Sequence, residues 1–357
     1  MKKRDIVVYT ETPEIDLWKK LLQYSYKARI QAYFTKNGIK IEPDNNRIYD
    51  VVSGAFLQAN EYFALSKSAS LYTAPLLLYY GAANLILGAV VLMTGKELNV
   101  QNHGMKILLD DSSSMIGATK IHFLSPDNGG INVFLREFAD GINLVDTGDW
   151  TLEELLLSIP EINLEASQCY VDSNYCLAID TIFTENGMIE RVCAGEENST
   201  VFDDVPGFKK SYLNPQYKEI DGKGFFILKH KYLQDQICYS SYTGQTYLLR
   251  SHSKNGNDCL LPQWAYMYSA LFASASLCRY YPQKWNPFIR LDDSGEKLLI
   301  DQFLETTRRI LPNIILSKIE GQNYKFENKK YEAENRVKIL GEHEIKDLIQ
   351  AQIKERR

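Results

Sequence analysis

Histidine is scarce in this chain, with 5 in 357 residues, and none of His122, His230 and His252 stands at the spacing of a metal ligand set. The six cysteines, Cys169, Cys176, Cys193, Cys238, Cys259 and Cys278, form no CxxC pair, which argues against a zinc site. The chain has no HExxH, no GxSxG, no Walker A loop and no GxGxxG, so the chemistries those motifs serve have no support. Neither internal repeats nor low-complexity tracts occur. A basic excess is missing too: the net charge is −5, and no global field advertises nucleic acid, although a local patch remains compatible. The start, MKKRDIVVYTETPE, is basic but lacks the apolar core of a signal peptide. The expectation is a cytoplasmic protein with free thiols and no cofactor. Twenty-three tyrosines favour a packed globular chain over disorder.

What is present centres on Leu71 to Leu109. No charge occurs between Pro75 and Met93. Pro75 suits a first helical turn and Gly95 a helix end. Small residues (Gly81, Ala82, Gly88, Ala89) recur on one side, where a partner helix can approach, and Leu78, Leu85 and Leu92 recur on another. The length would suit a membrane span. Tyr79, Tyr80 and Asn84 at its middle, and flanks without basic clusters, favour a buried core helix and no membrane contact. Asn99, Asn102, His103 and Gly104 follow as a turn.

Before this stretch, Ile6 to Tyr9 is a short β-like run. A helix is expected from Thr12-Pro13 to about Phe34 with Trp18, Leu22, Tyr26 and Ile30 on one face, stopped by Asn37-Gly38. A second follows from Ile48 to Ser66 with Val52, Phe56, Ala59 and Phe63 inward. After it, Lys120 to Leu124 alternates like a strand, Asn128-Gly129-Gly130 signals a turn, and Thr151 caps a short helix ending by Pro160. Cys176–Phe183, Met188–Cys193, Gly224–Lys231 and Tyr239–Arg250 read as strands, with a hairpin turn at Glu185-Asn186-Gly187 and a polar loop from Gly195 to Lys210. Helices return between Pro262 and Pro282, and from Gly295 to about Ile310 with Leu298, Phe303 and Ile310 inward. Lys325 to Arg357 reads as a charged final helix. The fold class is therefore α+β, predominantly α: residues 1–115 an N-terminal helical region, 116–255 a mixed, β-rich region, 256–357 a C-terminal helical region packing on the first.

The Tyr-Tyr pair, the apolar helix, the glycine stop and the later His-Gly over Tyr49 to Leu109 together resemble a HEPN domain. HEPN units are small helical bundles, many of them dimeric and many of them metal-independent ribonucleases. The resemblance implies a homodimer, RNA as partner and His103 as a catalytic residue. The signature arginine is absent before His103; Ala74 and Pro75 stand where it often occurs. Over Trp18 to Gly321 the chain also resembles the YaaC-like family, carried by Trp18, LLLYYGAANL, Asn102-His103-Gly104, Leu155 to Pro160, Arg279-Tyr280-Tyr281-Pro282 with Trp285, and Leu311-Pro312-Asn313. That is a group of bacterial proteins of similar length, so the resemblance implies architecture and compartment.

Two readings stand for each candidate residue. His103 is an acid or base near neutral pH, or a turn histidine bonded to backbone. Asn84, with Asn102, orients a ligand, or Asn84 satisfies a neighbouring helix. Arg279 caps its own helix, or supplies the missing cation opposite His103, with Tyr280 and Tyr281 as stacking faces. Arg336 and His343 have the nuclease spacing, with Val337 where a polar residue is usual. Asp110-Asp111 and Asp292-Asp293 read as caps and surface. Two functions follow: an endoribonuclease of RNA metabolism or antiphage defence, and a non-catalytic module that binds or regulates a protein partner.

Overall fold

The computed structural model describes residues 4–42, 45–110, 112–124, 129–138, 144, 148–170, 175–183, 189–194, 216–220, 223–228, 237–240, 244–250, 252–254 and 257–327. The hairpin turn at 185–187, the polar loop at 195–210, His230 and the Arg336/His343 pair lie outside them.

Strand β1 (Arg4–Tyr9) leads into helix α1 (Pro13–Leu21), a 3₁₀ turn (Leu22–Ser25) and α2 (Lys27–Asn37). The single long helix expected from Thr12 to Phe34 is thus broken. Tyr26 takes extended backbone angles, φ −97° and ψ 124°, between the two halves. The break also changes the inward face: Leu17, Leu21 and Tyr24 are buried, whereas Tyr26 is 67 % exposed. Gly38 and Gly95 adopt left-handed φ of 66° and end α2 and the helix that starts at Ala74 as expected.

Helix α3 (Arg47–Ser68) packs along α4 (Ala74–Thr94), which is buried over most of its length. Their approach is set by glycine. A Cβ on Gly81 would lie 2.8 Å from Phe63 Cδ2, and one on Gly88 would lie 3.1 Å from the Ala55 Cβ. The small side of α4 therefore faces α3, while Leu78, Leu85 and Leu92 are fully buried. Among the described residues α4 alone is long and apolar enough to cross a membrane by length and composition, and most of it is buried within the protein.

Strands β2 (Met105–Leu108), β3 (Lys120–Phe123) and β4 (Trp150–Thr151) form an antiparallel sheet, with α5 (Gly130–Glu137) in the β3–β4 connection. Thr151 and Glu154 form a reciprocal capping box at the start of α6 (Leu152–Leu157), and α7 (Asn163–Tyr170) follows. A six-stranded sheet then runs in the order β7-β8-β6-β5-β10-β9, made of β5 (Cys176–Phe183), β6 (Ile189–Ala194), β7 (Gln216–Ile220), β8 (Lys223–Leu228), β9 (Ile237–Tyr239) and β10 (Thr246–Leu249). The strand expected over Tyr239–Arg250 is two antiparallel strands, because the chain turns back through Gly244 at φ 71°. β11 (His252–Lys254) and β12 (Asn257–Cys259) pair with each other.

Three helices close the fold: α8 (Gln263–Tyr280), α9 (Pro282–Leu291) and α10 (Glu296–Glu320). Both α8 and α10 pack on α4. Helix α10 does not stop near Ile310; it continues through Pro312. Burial of Leu311, Ile315 and Leu316 outweighs the hydrogen bond that proline removes. Its inward face is Leu299, Ile300 and Phe303, and Leu298 is 64 % exposed. Gly321 ends it and sends the chain into β13 (Gln322–Glu327), which pairs in parallel with β1. The expected start of a final helix at Lys325 is therefore strand; the rest of that segment lies outside the described residues. The architecture is α+β, predominantly α, around one continuous apolar core that includes residues of α3, α4, α8 and α10.

Two glycine substitutions should separate close packing from helix propensity. Gly81→Ala forces a methyl into Phe63 and Tyr62 and should destabilise by about 1–2 kcal/mol, overpacking exceeding the gain in propensity. Gly54→Ala on α3 meets nothing within 4 Å and should stabilise by about 0.5–1 kcal/mol. Urea unfolding of both variants gives the two signs.

Candidate functional site

The loop after α4 brings His103 back against that helix. Two crossings hold it. Asn102 and Gly129 form an isolated bridge, and a Cβ on Gly129 would lie 2.4 Å from the Gly104 Cα. Only glycine permits that approach, and Gly104 also needs its φ of 76°. The backbone carbonyls of Asn102 and His103 accept from Gly130 N–H (2.8 Å) and Ile131 N–H (3.3 Å) at the start of α5. The Gly104 carbonyl accepts from Leu124 N–H at 2.9 Å.

The backbone of His103 is thus bonded at a turn, but its ring is not spent there. His103 is exposed. Its Nδ1 lies 2.7 Å from the Tyr79 hydroxyl, which lies 3.2 Å from the Tyr268 hydroxyl. Tyr79 and Phe272 pack on the imidazole with ring centroids 5.3 and 5.7 Å away. Among the described residues Nε2 has no hydrogen-bond partner. Partial burial, and then the charge of Arg279, hold the His103 pKa below its ordinary 6.5. Burial pushes the Tyr268 hydroxyl up to about 12 and that of Tyr79 far above its ordinary range, so both stay protonated.

Arg279 is the basic residue of the last turn of α8, where its charge suits the negative helix end. It donates to the Tyr80 hydroxyl at 2.9 Å and lies over the Tyr280 ring, 4.9 Å from its centroid. Tyr80 in turn packs against Tyr62, with centroids 6.1 Å apart. His103 and Arg279 are therefore placed by neighbouring tyrosines of one helix, close enough to interact electrostatically, with no hydrogen bond between them.

The other candidates fall elsewhere. The Asn102 carboxamide accepts from Gly104 N–H at 2.7 Å and shapes the turn. Asn84 donates to the Tyr80 carbonyl of its own helix at 3.0 Å, so it satisfies α4 and not a neighbouring helix. Tyr280 is 61 % exposed beside Arg279. Tyr281 is half-buried at the α8–α9 junction, where its carbonyl accepts from Lys284 and Trp285. Asp110 and Asp292 accept from nearby serine groups, as local caps do. Tyr79, Tyr80, Tyr268 and Phe272 were not among the candidates. The signal for the tyrosines was available: a hydroxyl on a buried apolar helix must find a partner.

Elsewhere, buried polar groups join segments. The Glu296 carboxylate accepts from Ile116 N–H (2.8 Å), Gly117 N–H (2.7 Å) and the Tyr170 hydroxyl (3.0 Å). Burial lowers His252 to about 3, and its neutral ring lies 3.0 Å from Ser158 Oγ. His122 pairs with Asp149 at 2.7 Å on the surface. Among the described residues no group of three or more His, Cys, Asp or Glu is arranged to hold a metal ion.

A mainly helical protein built around one uncharged helix, with a solvent-facing histidine and a cation set beside it, is the class that this geometry defines. Residues 21–319 match the model of the YaaC-like Protein family, from the end of α1 to the last turn of α10. The chain belongs to that family, and the β1–β13 ribbon lies outside the matched span. No curated protein and no solved structure matches it.

The His103 environment makes a signed prediction. Its titration, followed by NMR of the ring protons, should fall below pH 6.5. Arg279→Gln removes the nearby positive charge and should move it upward. Because the folded pKa is depressed, this histidine contributes stability above its unfolded pKa, and that contribution is lost as pH falls through the folded value.

Proposed function

We propose that this chain is a HEPN-like protein of RNA metabolism or antiphage defence that cleaves RNA without a metal ion. It works as a homodimer in the cytoplasm. His103 Nε2 takes the proton of a ribose 2′-hydroxyl as that oxygen attacks the adjacent phosphorus. The Arg279 guanidinium faces the non-bridging oxygens and offsets the charge that develops there. The 5′-oxygen leaves with a proton returned by the imidazolium, giving a 2′,3′-cyclic phosphate and a 5′-hydroxyl. Nothing is oxidised or reduced, and the proton taken at Nε2 is the one given back.

The observation that carries this reading is the pairing of an exposed imidazole, tethered through Nδ1 and with Nε2 unpartnered among the described residues, with a guanidinium near enough to depress its pKa. A pKa below the ordinary value keeps the ring neutral, and able to accept a proton, at physiological pH.

A second reading rests on exposed tyrosines about the end of α8, where the Tyr72 carbonyl accepts from the Cys278 thiol. Tyr72 is 43 % exposed and Tyr280 61 % exposed, and exposed tyrosine with arginine is the composition of protein-binding hot spots. On this reading the helical surface there holds a protein partner and performs no chemistry.

Purified protein incubated with single-stranded RNA and EDTA separates the two. The nuclease reading expects fragments ending in a cyclic phosphate. His103→Ala should reduce the rate roughly 100- to 10,000-fold, the range for a lost general acid–base group, with the circular-dichroism melt unchanged. Absence of cleavage by the parent protein favours the binding module.

A further inference from the structure

His103 is the outermost member of a chain of three polar groups that runs into the core. Nδ1 meets the Tyr79 hydroxyl at 2.7 Å, and Tyr79 meets Tyr268 at 3.2 Å. Tyr79 is 3 % exposed and Tyr268 1 % exposed. The Tyr79 ring is carried by α4 and the Tyr268 ring by α8, so both hydroxyls are placed by helices and not by the loop that bears His103. The two rings also pack on each other, with centroids 5.3 Å apart. Phe272 closes a further side of the imidazole, and Arg279 is the charged group that acts on it.

A histidine acting through Nε2 needs Nδ1 to be held, because the partner of one nitrogen sets which nitrogen carries the proton and where the ring points. In the base-ready ring Nδ1 is the protonated nitrogen, so it donates to Tyr79, and Tyr79 donates to Tyr268. When Nε2 gains a proton, both of those hydrogen bonds keep their direction. The arrangement thus serves proton uptake and proton return alike. It does so with neutral groups, since both hydroxyls stay protonated.

We propose that Tyr79, backed by Tyr268, is a positioning residue of this site: it anchors the imidazole by Nδ1 and commits Nε2 to the substrate side. The proposal rests on the reading of His103 as the proton-transfer group. Tyr80, its neighbour on α4, serves Arg279 instead, so the two tyrosines divide the placement of the acid–base group and of the cation between them.

The test uses ¹⁵N-histidine-labelled full-length protein and compares the parent with Tyr79→Phe and Tyr268→Phe. In the parent, Nδ1 should stay hydrogen-bonded throughout the titration while Nε2 takes up the proton. In Tyr79→Phe the Nδ1 resonance should move to the position of a solvent-averaged ring, and the His103 pKa should change. Tyr268→Phe should give a smaller displacement in the same direction, and it stands in if Tyr79→Phe does not fold. With RNA as substrate, Tyr79→Phe should lower kcat roughly 10- to 100-fold, the usual effect of losing an orienting partner, at nearly constant KM. Unchanged His103 nitrogen resonances in both variants overturn the proposal. If the parent does not cleave RNA, the nuclease reading fails while the nitrogen spectra still decide whether Tyr79 anchors the ring.

Discussion

A helix without charges cannot lie against water, and the rest of this fold follows from how α4 is covered. Its glycine side admits α3 to near contact, with Gly81 against Phe63 and Gly88 against Ala55. Its leucines fill the core, and α8 and α10 also pack against the helix. Burying one large apolar side chain contributes about 1.5–3 kcal/mol, and Leu78, Leu85, Ile86, Val90, Val91 and Leu92 of this helix are all at 0 % exposure. Segments distant in sequence are held together because each covers part of the same helix.

That arrangement also produces the candidate site. Successive helical residues point about 100° apart, so Tyr79 and Tyr80 leave the same turn of α4 in different directions. One turns toward α8 and the returning loop, where it meets Tyr268 and His103; the other reaches Arg279 at the end of α8. The Gly104–Gly129 crossing keeps the loop in place, since any side chain at Gly129 would collide with backbone. A rigid helix pair and a pinned turn thus hold a titratable ring and a cation that lie far apart in the sequence.

Much of this was legible in the residues. Uncharged composition and small-residue spacing marked α4 as a core helix with a closely packed neighbour. Pro262 and Pro282 bracketed α8, and Thr151 announced the cap of α6, which forms as a reciprocal box with Glu154. The misreadings share a cause. Tyr26 and Leu298 have the periodicity of an inward face and lie outside, because apolar period fixes a face only while the helix is unbroken and covered on that side. The helix expected to end near Ile310 is carried onward by its buried neighbours. Lys325 to Glu327 looked helical through its charge and is strand through its pairing with β1, a partner more than 300 residues away.

Local chemistry therefore determined the fold class, the central helix and the candidacy of His103, since each depends on residues within a few turns of one another. Only tertiary structure decided that Asn84 is satisfied within its own helix, that Asn102 shapes a turn, that Arg279 reaches Tyr80, and that the hydroxyls of Tyr79 and Tyr268 stand in line behind the imidazole. The reason is geometric. Hydrogen bonds and electrostatic depression of a pKa act over a few ångströms, and which groups come within that range is set by helix packing, which no local pattern of residues records.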